Sequence, residues 1–315
     1  MIDEYGRNID YLRISVTDLC NLRCVYCMPE EGVCQMRHED ILSVEEIEEI
    51  ARAAAELGVK KIRLTGGEPL VRKGILEIVS RVSRISGIGE VALTTNGSLL
   101  AEKAQALKDA GLTRVNISVD AFDPDTYRDI TRGGEISDVM AGIQAAIKAD
   151  LTPIKLNAVL IGGVNETFIR PLIEMTEGSD FRVRFIEIMP IGECAGWNNE
   201  RFLSISKVLE AEPELEYFGT DGVSKLYRKP GSKGSVGLIS PISNHFCPEC
   251  NKVRVTADGK LKPCLHSAEE INLRGLHGSE LVETISAAIL SKPFKHDLGS
   301  TGHSNSQRGM NAIGG

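Results

Sequence analysis

A strand-and-helix unit recurs along residues 11–190, and it limits the folds open to this chain more than any other feature. Each unit is a short apolar strand, a polar turn and an amphipathic helix. Because a covering helix follows each strand, the pattern predicts a parallel sheet with right-handed crossovers, either closed as a barrel or open and doubly wound. The predicted strands are residues 11–17, 61–65, 90–94, 114–119, 153–160 and 182–188.

Six units are fewer than the eight of a complete α/β barrel, so we expect an incomplete (β/α)6-type TIM barrel with one open side. After Met189-Pro190 the pattern changes to shorter strands, glycine turns and a helix near residues 279–290. We therefore predict a first domain over residues 1–190. A smaller C-terminal α+β region over residues 191–315 is expected to close the open side.

Three cysteines follow the first predicted strand with the spacing C-x3-C-x2-C. They are Cys20, Cys24 and Cys27. Thiolates at this spacing suit one metal centre, and they select iron-sulfur, zinc or Cu(I). A four-iron cluster held by three cysteines leaves one iron open, whereas a structural zinc site needs a fourth ligand. Cys34 and His38 are candidates for that fourth ligand, so this loop alone leaves both kinds of site open.

The C-terminal region holds a second set of three cysteines. They are Cys247, Cys250 and Cys264. A C-x2-C turn with one later cysteine is similar to a zinc ribbon that lacks its last ligand, which His245 or His266 is placed to supply. Zinc and iron-sulfur are about equally compatible with this second set.

Charge and cysteine usage exclude several classes of protein. The net charge of -8 and the lack of Lys/Arg-rich runs argue against a nucleic-acid-binding protein. The sequence shows no apolar run of membrane-spanning length and no secretory leader, so we expect a cytoplasmic protein without membrane attachment. Because most of the eight cysteines fall into two tight clusters, metal binding is favoured over disulfides.

Polar residues follow the predicted strands at the edge where an α/β barrel places its reactive groups. Residues 65–69 read Thr-Gly-Gly-Glu-Pro, and their glycines permit close backbone approach to a ligand. Glu68 is placed to accept hydrogen bonds from an ammonium group, although an ordinary βα turn explains the segment equally well. The recurrence of polar ends predicts a lined pocket, with further ends at residues 94–97, 116–120, 155–157 and 184–190.

Lys252 and Arg254 alternate on a predicted strand beside the second cysteine set, so both side chains project to one face. In an acidic chain an anionic substrate needs such a local basic pocket, and the alternative is a solvated strand edge. The final residues, Gly314 and Gly315, indicate by themselves only a frayed chain end.

Together these motifs resemble the radical SAM superfamily and, within it, the molybdenum-cofactor biosynthesis protein A family. The superfamily motifs are the first cysteine loop, with Tyr26 before its last cysteine, and the Gly-Gly-Glu-Pro segment. The family-specific ones are Ser-Pro-Ile-Ser-Asn-His-Phe-Cys at residues 240–247, the C-x2-C-x13-C set and the double-glycine end. The resemblance spans essentially the whole chain and implies an incomplete barrel of the radical SAM kind.

The resemblance implies two [4Fe-4S] clusters and S-adenosylmethionine (SAM) as cofactors, and GTP as the substrate. The cluster ligands that it implies are Cys20, Cys24 and Cys27 for the first cluster, and Cys247, Cys250 and Cys264 for the second. The residues that it places around SAM are Tyr26, Gly66, Gly67, Glu68, Ser118 and Met189. Those that it places on GTP are Arg13, Arg63, Thr94, Lys155, Lys252 and Arg254. It gives catalytic roles to Arg13, Gly314 and Gly315.

The implied reaction is the first step of molybdenum cofactor biosynthesis. A 5'-deoxyadenosyl radical from SAM takes hydrogen from ribose C3' of GTP, and the product is 3',8-cyclo-7,8-dihydro-GTP. The implied partners are a reducing electron donor and a downstream cyclic pyranopterin monophosphate synthase, and the enzyme is expected to be a monomer or a homodimer. Two residues depart from the family pattern: Leu19 and Lys252 both stand where arginine is usual, and lysine cannot form a bidentate phosphate fork.

Two alternatives remain open at this point. The first is another radical SAM enzyme with an auxiliary cluster, such as a peptide modifier, which needs a peptide groove in place of a triphosphate pocket. The second is a zinc-stabilised structural or nucleic-acid-binding protein, against which the acidic charge and the single Trp argue.

Overall fold

The computed structural model describes residues 1–296, 298 and 304–314. Its strands are β1 (Tyr11–Ser15), β2 (Lys61–Thr65), β3 (Glu90–Thr95), β4 (Arg114–Ser118), β5 (Lys155–Leu160), β6 (Arg182–Glu187), β7 (Glu216–Asp221), β8 (Ser224–Arg228), β9 (Ser235–Ile239), β10 (Lys252–Val255), β11 (Lys260–Lys262) and β12 (Ile271–Asn272). The six strands predicted before residue 190 are confirmed, and only their ends differ slightly.

The described strands form one open sheet in the order β12-β11-β10-β1-β2-β3-β4-β5-β6-β9-β8-β7. The stretch from β10 to β9 is parallel throughout, because β10 pairs in parallel with β1 and β9 pairs in parallel with β6. The C-terminal strands therefore extend the predicted sheet at both edges. The predicted incomplete barrel is confirmed as an open α/β sheet, while the domain boundary at residue 190 stays a prediction.

The helices cover one face of the sheet, where they share its apolar core. They are α1 (Val44–Glu56), α2 (Ile75–Ser83), α3 (Leu100–Asp109), α4 (Pro124–Thr131), α5 (Ile136–Lys148), α6 (Ile169–Gly178), α7 (Ser206–Ala211) and α8 (Gly278–Leu290). Helix α1 begins with a capping box: Ser43 Oγ accepts from Glu46 N at 3.1 Å, and the Glu46 carboxylate accepts from Ser43 N at 2.7 Å. Within the described ranges, no helix is long and apolar enough to cross a membrane.

The two faces of the parallel strands differ in polarity. On β1, Leu12 and Ile14 are buried in the apolar core, whereas Tyr11 and Arg13 line an internal cavity. Strand β2 repeats this alternation, with Lys61 and Arg63 facing the cavity. Because successive side chains of a strand point to opposite faces, one register supplies both the core and the cavity wall.

Strands β7 and β12 were not predicted from the sequence. Strand β7 is an edge strand on which Tyr217 and Phe218 are both exposed, so the alternation of buried and exposed residues is missing. Strand β12 has only two residues, too few for any periodicity.

Candidate active site

The inner face of the sheet encloses a cavity of about 470 Å³. All six cysteines of the two predicted sets line it. Those of the N-terminal cysteine site (Cys20, Cys24 and Cys27) follow β1, at the carboxyl ends of the parallel strands. Those of the C-terminal cysteine site (Cys247, Cys250 and Cys264) precede β10 or follow the antiparallel β11, so they lie at the opposite ends of the strands. One cavity thus connects two three-thiol sites.

The Gly-Gly-Glu-Pro segment packs against the backbone of the N-terminal cysteine loop. Gly67 N donates to Thr17 O at 2.8 Å, and Glu68 N donates to Leu19 O at 2.7 Å. A Cβ atom on Gly67 would lie 2.3 Å from Leu19 O, and one on Gly66 would lie 2.7 Å from Thr17 O. The glycines are therefore required by contact between two loops of the chain, in addition to any approach to a ligand.

Glu68 is a buried carboxylate that ties the ends of β2 and β3 together. It accepts hydrogen bonds from Leu70 N at 2.9 Å, Thr95 Oγ1 at 2.7 Å and Asn96 N at 2.7 Å. Burial raises the pKa of Glu68 to about 7, although these hydrogen bonds oppose the shift. A nearby ammonium group would stabilise its charged form, which fits the predicted contact with SAM.

Tyr26 is anchored by Asp120, just beyond the end of β4. The Tyr26 hydroxyl donates to Asp120 Oδ2 at 2.7 Å, and Asp120 Oδ1 accepts from Val159 N at 2.8 Å. Burial raises the pKa of Asp120 to about 6, and burial together with the charge of Asp120 raises the pKa of Tyr26 well above its usual value. This pair fixes the last turn of the cysteine loop against the barrel wall.

The thiols of the N-terminal cysteine site are held in a desolvated pocket. Burial raises the pKa of Cys27 to about 12, and it also raises the pKa values of Cys20 and Cys24. Thiolate is the ligating form, so occupation by a metal centre must release protons. Cys34 and His38, the candidate fourth ligands, are exposed and do not line the cavity.

The C-terminal cysteine site has a different electrostatic setting. Burial alone would raise the pKa of Cys250, but the charges of Lys292 and Lys252 lower it below its usual value. The imidazole rings of His266 and His296 lie 4.5 Å apart beside this site. Burial and the neighbouring histidines lower the pKa of His266 to about 3.

The thiol sets fit two four-iron clusters, each with one open iron. Each site presents three free cysteines to the cavity. Across the part of the chain that the structure describes, no three His, Cys, Asp or Glu side chains converge tightly enough to hold a single metal ion.

Cationic side chains cover the cavity wall between the two cysteine sites. The predicted ones are Arg13, Arg63, Lys155, Lys252 and Arg254, and the structure adds Arg114 and Arg184. Burial lowers the pKa values of Arg13 and Arg63 to about 10 and that of Lys252 to about 7. Among the described residues, the Nε atoms of Arg13 and Arg63 are buried without a hydrogen-bond partner. The wall is therefore a preformed site for a polyanion, whose binding would satisfy these donors.

Lys155 has an internal counter-ion. Its ammonium pairs with Asp221, which ends β7, and Asp221 also lies 3.4 Å from Arg182 Nη1. Burial and the charges of Arg184 and Arg114 lower the pKa of Lys155 to about 7 despite this pair. The pair with Lys155 lowers the pKa of Asp221 to about 2 against the effect of burial.

The remaining predicted residues also reach the cavity. Thr94, Ser118 and Met189 line it at or near the carboxyl ends of the parallel strands. Tyr11, which motif reasoning missed, lies under the cations: Arg63 Cζ is 5.2 Å from its ring centre and Lys252 Nζ is 5.7 Å away. Tyr11 lies two residues before Arg13 on β1 and so faces the same side of the sheet, and this spacing is the signal that would have identified it.

The C-terminal tail enters the same cavity. Arg254 Nη1 donates to Ile313 O at 3.3 Å, and a Cβ atom on Gly314 would lie 2.5 Å from Thr65 Oγ1. Gly314 also has a φ of +70°, a conformation that favours glycine. Arg308 fastens the tail through ion pairs with Asp258 at 2.8 Å and with Glu270 at 2.7 Å. Gly315 lies outside the described residues, so its role stays a prediction.

The chain matches two family descriptions. Residues 14–175 match the radical SAM superfamily, and residues 181–298 match Molybdenum Cofactor Synthesis C. The structure is similar to the solved structure of Streptococcus suis SuiB bound to precursor peptide SuiA, with a TM-score of 0.64 at 13% identity. The similarity covers 91% of this chain and 67% of that one. At that identity the likeness shows the fold. Together with the cavity, these matches define the class of the protein: a radical SAM enzyme built on an open α/β barrel.

Two curated relatives narrow the class further. The proteins named GTP 3',8-cyclase in Alkaliphilus oremlandii (strain OhILAs) and in Alkaliphilus metalliredigens (strain QYMF) are each 52% identical to this chain, over the full length of both partners. The chain belongs to the GTP 3',8-cyclase family. SAM and [4Fe-4S] clusters, including an auxiliary cluster, are the cofactors of that family, and they replace the zinc alternatives.

Proposed function

We propose that this chain converts GTP to (8S)-3',8-cyclo-7,8-dihydro-GTP in the first step of molybdenum cofactor biosynthesis. The observation that carries the proposal is a single cavity with a three-thiol site at each end and unpaired arginines between them. The relatives named GTP 3',8-cyclase support the choice of substrate. When bound, the N-terminal cluster and SAM supply the radical that takes hydrogen from ribose C3' of GTP.

The chain positions SAM at the carboxyl ends of the parallel strands. The residues that we assign to SAM are Tyr26, Gly66, Gly67, Glu68, Ser118 and Met189, all of which line the cavity. Glu68 would accept the methionyl ammonium, and its hydrogen bonds to the ends of β2 and β3 fix the direction of its carboxylate. The tight contact of Gly67 with the N-terminal cysteine loop fixes the position of the proposed SAM site relative to the first cluster.

The chain positions GTP by charge and by shape. Arg13, Arg63, Lys155, Lys252 and Arg254 hold the triphosphate and guanine, and Thr94 supplies a hydroxyl beside them. The ammonium of Lys252 keeps the positive charge of the arginine that is usual at its position but makes a single point contact. Cys247, Cys250 and Cys264 would hold a cluster whose open iron would be available to guanine, and this would direct the ribose of the substrate toward the SAM site.

The tail completes the reaction site. Gly314 lies against Thr65 at the SAM end of the barrel. We assign catalytic positioning to Gly314 and Gly315, because residues without side chains permit the closest approach of backbone to the reacting ribose. We assign it also to Arg13, whose buried guanidinium lines the same cavity. A tail that occupies this end of the cavity also excludes water from the reacting ribose.

The wider setting of the enzyme follows from its chemistry. A reducing electron donor supplies the electrons, and a downstream cyclic pyranopterin monophosphate synthase consumes the product. We expect a cytoplasmic enzyme, a monomer or a homodimer, that acts without nucleic acid or membrane.

The test is an anaerobic incubation of the reconstituted, reduced enzyme with SAM and either GTP or a panel of peptides. The product is an isomer of GTP, because the hydrogen lost from C3' is replaced by one electron and one proton from outside. Chromatography before mass spectrometry therefore has to separate it from GTP. GTP-dependent 5'-deoxyadenosine together with the isomer would support the proposal. Peptide-dependent 5'-deoxyadenosine without the isomer would favour a peptide-modifying radical SAM enzyme instead.

A further inference from the structure

Lys292 is a buried cation that the proposed reaction does not use. It follows the end of α8, its side chain is 3% exposed, and it lines the cavity beside the C-terminal cysteine site. Its ammonium donates to Lys252 O at 3.0 Å and to Pro263 O at 2.7 Å. The first acceptor lies two residues after Cys250, and the second immediately precedes Cys264. One ammonium therefore joins two of the chain segments that carry the thiols.

The charge of Lys292 has no carboxylate counter-ion within the described ranges. Two other buried lysines of this wall and its surroundings do have one, since Lys155 pairs with Asp221 and Lys262 pairs with Glu270. The thiol of Cys250 lies close enough to Lys292 for the charge of the ammonium to lower the pKa of that thiol. A buried cation without a partner is costly, so the thiolate site is its electrostatic partner.

The N-terminal arm holds Lys292 in place. Arg7 is buried, pairs with Asp3 at 2.6 Å, and donates to Lys292 O at 3.2 Å. The same guanidinium donates to Cys247 O at 3.0 Å. Arg7 thus connects the backbone of Lys292 to the backbone of Cys247, the residue that carries the third thiol. Contacts from the N-terminal arm therefore help to fix the position of the Lys292 ammonium, which lies near the C-terminal end of the chain.

We infer that Lys292 is a positioning residue for the C-terminal cluster, and that its buried charge, held between the segments that carry Cys250 and Cys264, raises the reduction potential of that cluster. The inference rests on the proposed assignment of Cys247, Cys250 and Cys264. Three thiolates on a four-iron core give a site of net negative charge, and each added electron increases that charge. A fixed cation therefore favours the reduced form, because net charge and hydrogen bonds to sulfur both set cluster potentials.

The test uses a parent variant with Cys20, Cys24 and Cys27 changed to alanine, so that only the C-terminal site takes up iron and sulfide. Lys292→Gln keeps hydrogen-bond donors and removes the charge, whereas Lys292→Arg keeps the charge. Lys295→Met is the matched control, because it removes a lysine charge at an exposed position of the same segment. The readouts are iron content and the midpoint potential from a redox titration followed by electron paramagnetic resonance.

We expect Lys292→Gln to load iron. At a fixed potential its ratio of reduced to oxidised cluster should fall about tenfold, which corresponds to a negative shift of the midpoint potential of about 59 mV for one electron. Lys292→Arg and Lys295→Met should stay near the parent. Failure of Lys292→Gln to load, with loading of Lys292→Arg, would also support the role of the charge. An unchanged midpoint in loaded Lys292→Gln would overturn the inference, and so would failure of both Lys292 variants to load. Absence of iron from the parent itself would instead refute the cluster assignment.

Discussion

The two cysteine sites at the ends of the cavity are built in different ways. The N-terminal site comes from one short loop that rests on the backbone of the Gly-Gly-Glu-Pro segment, and burial dominates the pKa values of its thiols. The C-terminal site gathers separate segments, which Lys292 and Arg7 hold together through backbone carbonyls. A local motif therefore specifies the first site, whereas long-range contacts specify the second. This difference suits a division of labour in which the first site generates the radical and the second end selects the substrate.

The largest expected effect comes from Gly67→Ala. Its Cβ atom would lie 2.3 Å from Leu19 O, so the N-terminal cysteine loop must move. We expect loss of about half of the iron, from the N-terminal site only, and no detectable cyclisation. Iron analysis of the anaerobically reconstituted variant and product chromatography provide the measurement. Gly178→Ala is the control, because nothing lies within 4 Å of the added Cβ atom. Full iron content and normal turnover in Gly67→Ala would show that the two loops do not depend on each other.

Deletion of Gly314 and Gly315 should separate cluster assembly from chemistry. We expect cyclisation to be lost while iron content and GTP affinity stay close to those of the intact chain, since neither cysteine set is altered. Gly314→Ala should lower turnover as well, and its control is Gly133→Ala, which shares a positive φ but has free space around the added Cβ atom. Unchanged turnover in the deletion variant would remove the tail from the catalytic account.

Substitution of Arg63 by methionine should weaken substrate binding without touching either cysteine site. The buried guanidinium has no carboxylate partner among the described residues and an unsatisfied Nε. We expect the Kd for GTP to rise by at least about tenfold, because charge-assisted contacts to phosphate are strong. Calorimetry of GTP binding provides the measurement, with Arg52→Met on the exposed face of α1 as the control. Equal affinities for the two variants would place the triphosphate elsewhere.

A smaller effect concerns the pH dependence of GTP binding. The pKa of Lys155 is lowered to about 7 by burial and by the charges of Arg184 and Arg114, against the pull of Asp221. An anion favours the protonated amine, so affinity should be highest below about pH 7 and should fall a few-fold as pH rises above it. In Lys155→Arg this decline should become smaller, since arginine keeps its charge while Lys252, whose pKa burial also lowers to about 7, still titrates. Titration of the phosphate itself affects both proteins equally, so identical pH profiles would contradict the assignment.

The sequence predicted the barrel well because its signals are local. The strands from β1 to β6 and the capping box of Ser43 and Glu46 depend on periodicity and on neighbours within one turn. The positions of β9 and β10 at opposite edges of the sheet depend on contacts between distant segments. No periodicity encodes which edge a strand will join.

The candidate site shows the same difference between local signals, which the sequence reveals, and long-range contacts, which it does not. The cysteines and the Gly-Gly-Glu-Pro segment were found from motifs, and the cavity contains them all. Tyr11 and Arg114 were missed although they share the inward register of predicted residues, and that register becomes readable once the parallel pairing is known. Arg184 was predicted only as part of the polar strand end at residues 184–190, without a role toward the substrate. Lys292 carries no sequence signal, because its role depends on the carbonyls of residues that are remote along the chain.

Transfer of hydrogen from ribose C3' tests the central claim most directly. The reduced enzyme would be incubated without oxygen with SAM and GTP that carries deuterium at C3', and the 5'-deoxyadenosine would be examined by mass spectrometry. The account predicts that deuterium moves into 5'-deoxyadenosine and that a cyclised isomer of GTP forms with it. Formation of 5'-deoxyadenosine without deuterium, or without any need for GTP, would contradict the claim that the C-terminal end of the cavity presents the GTP ribose to the radical.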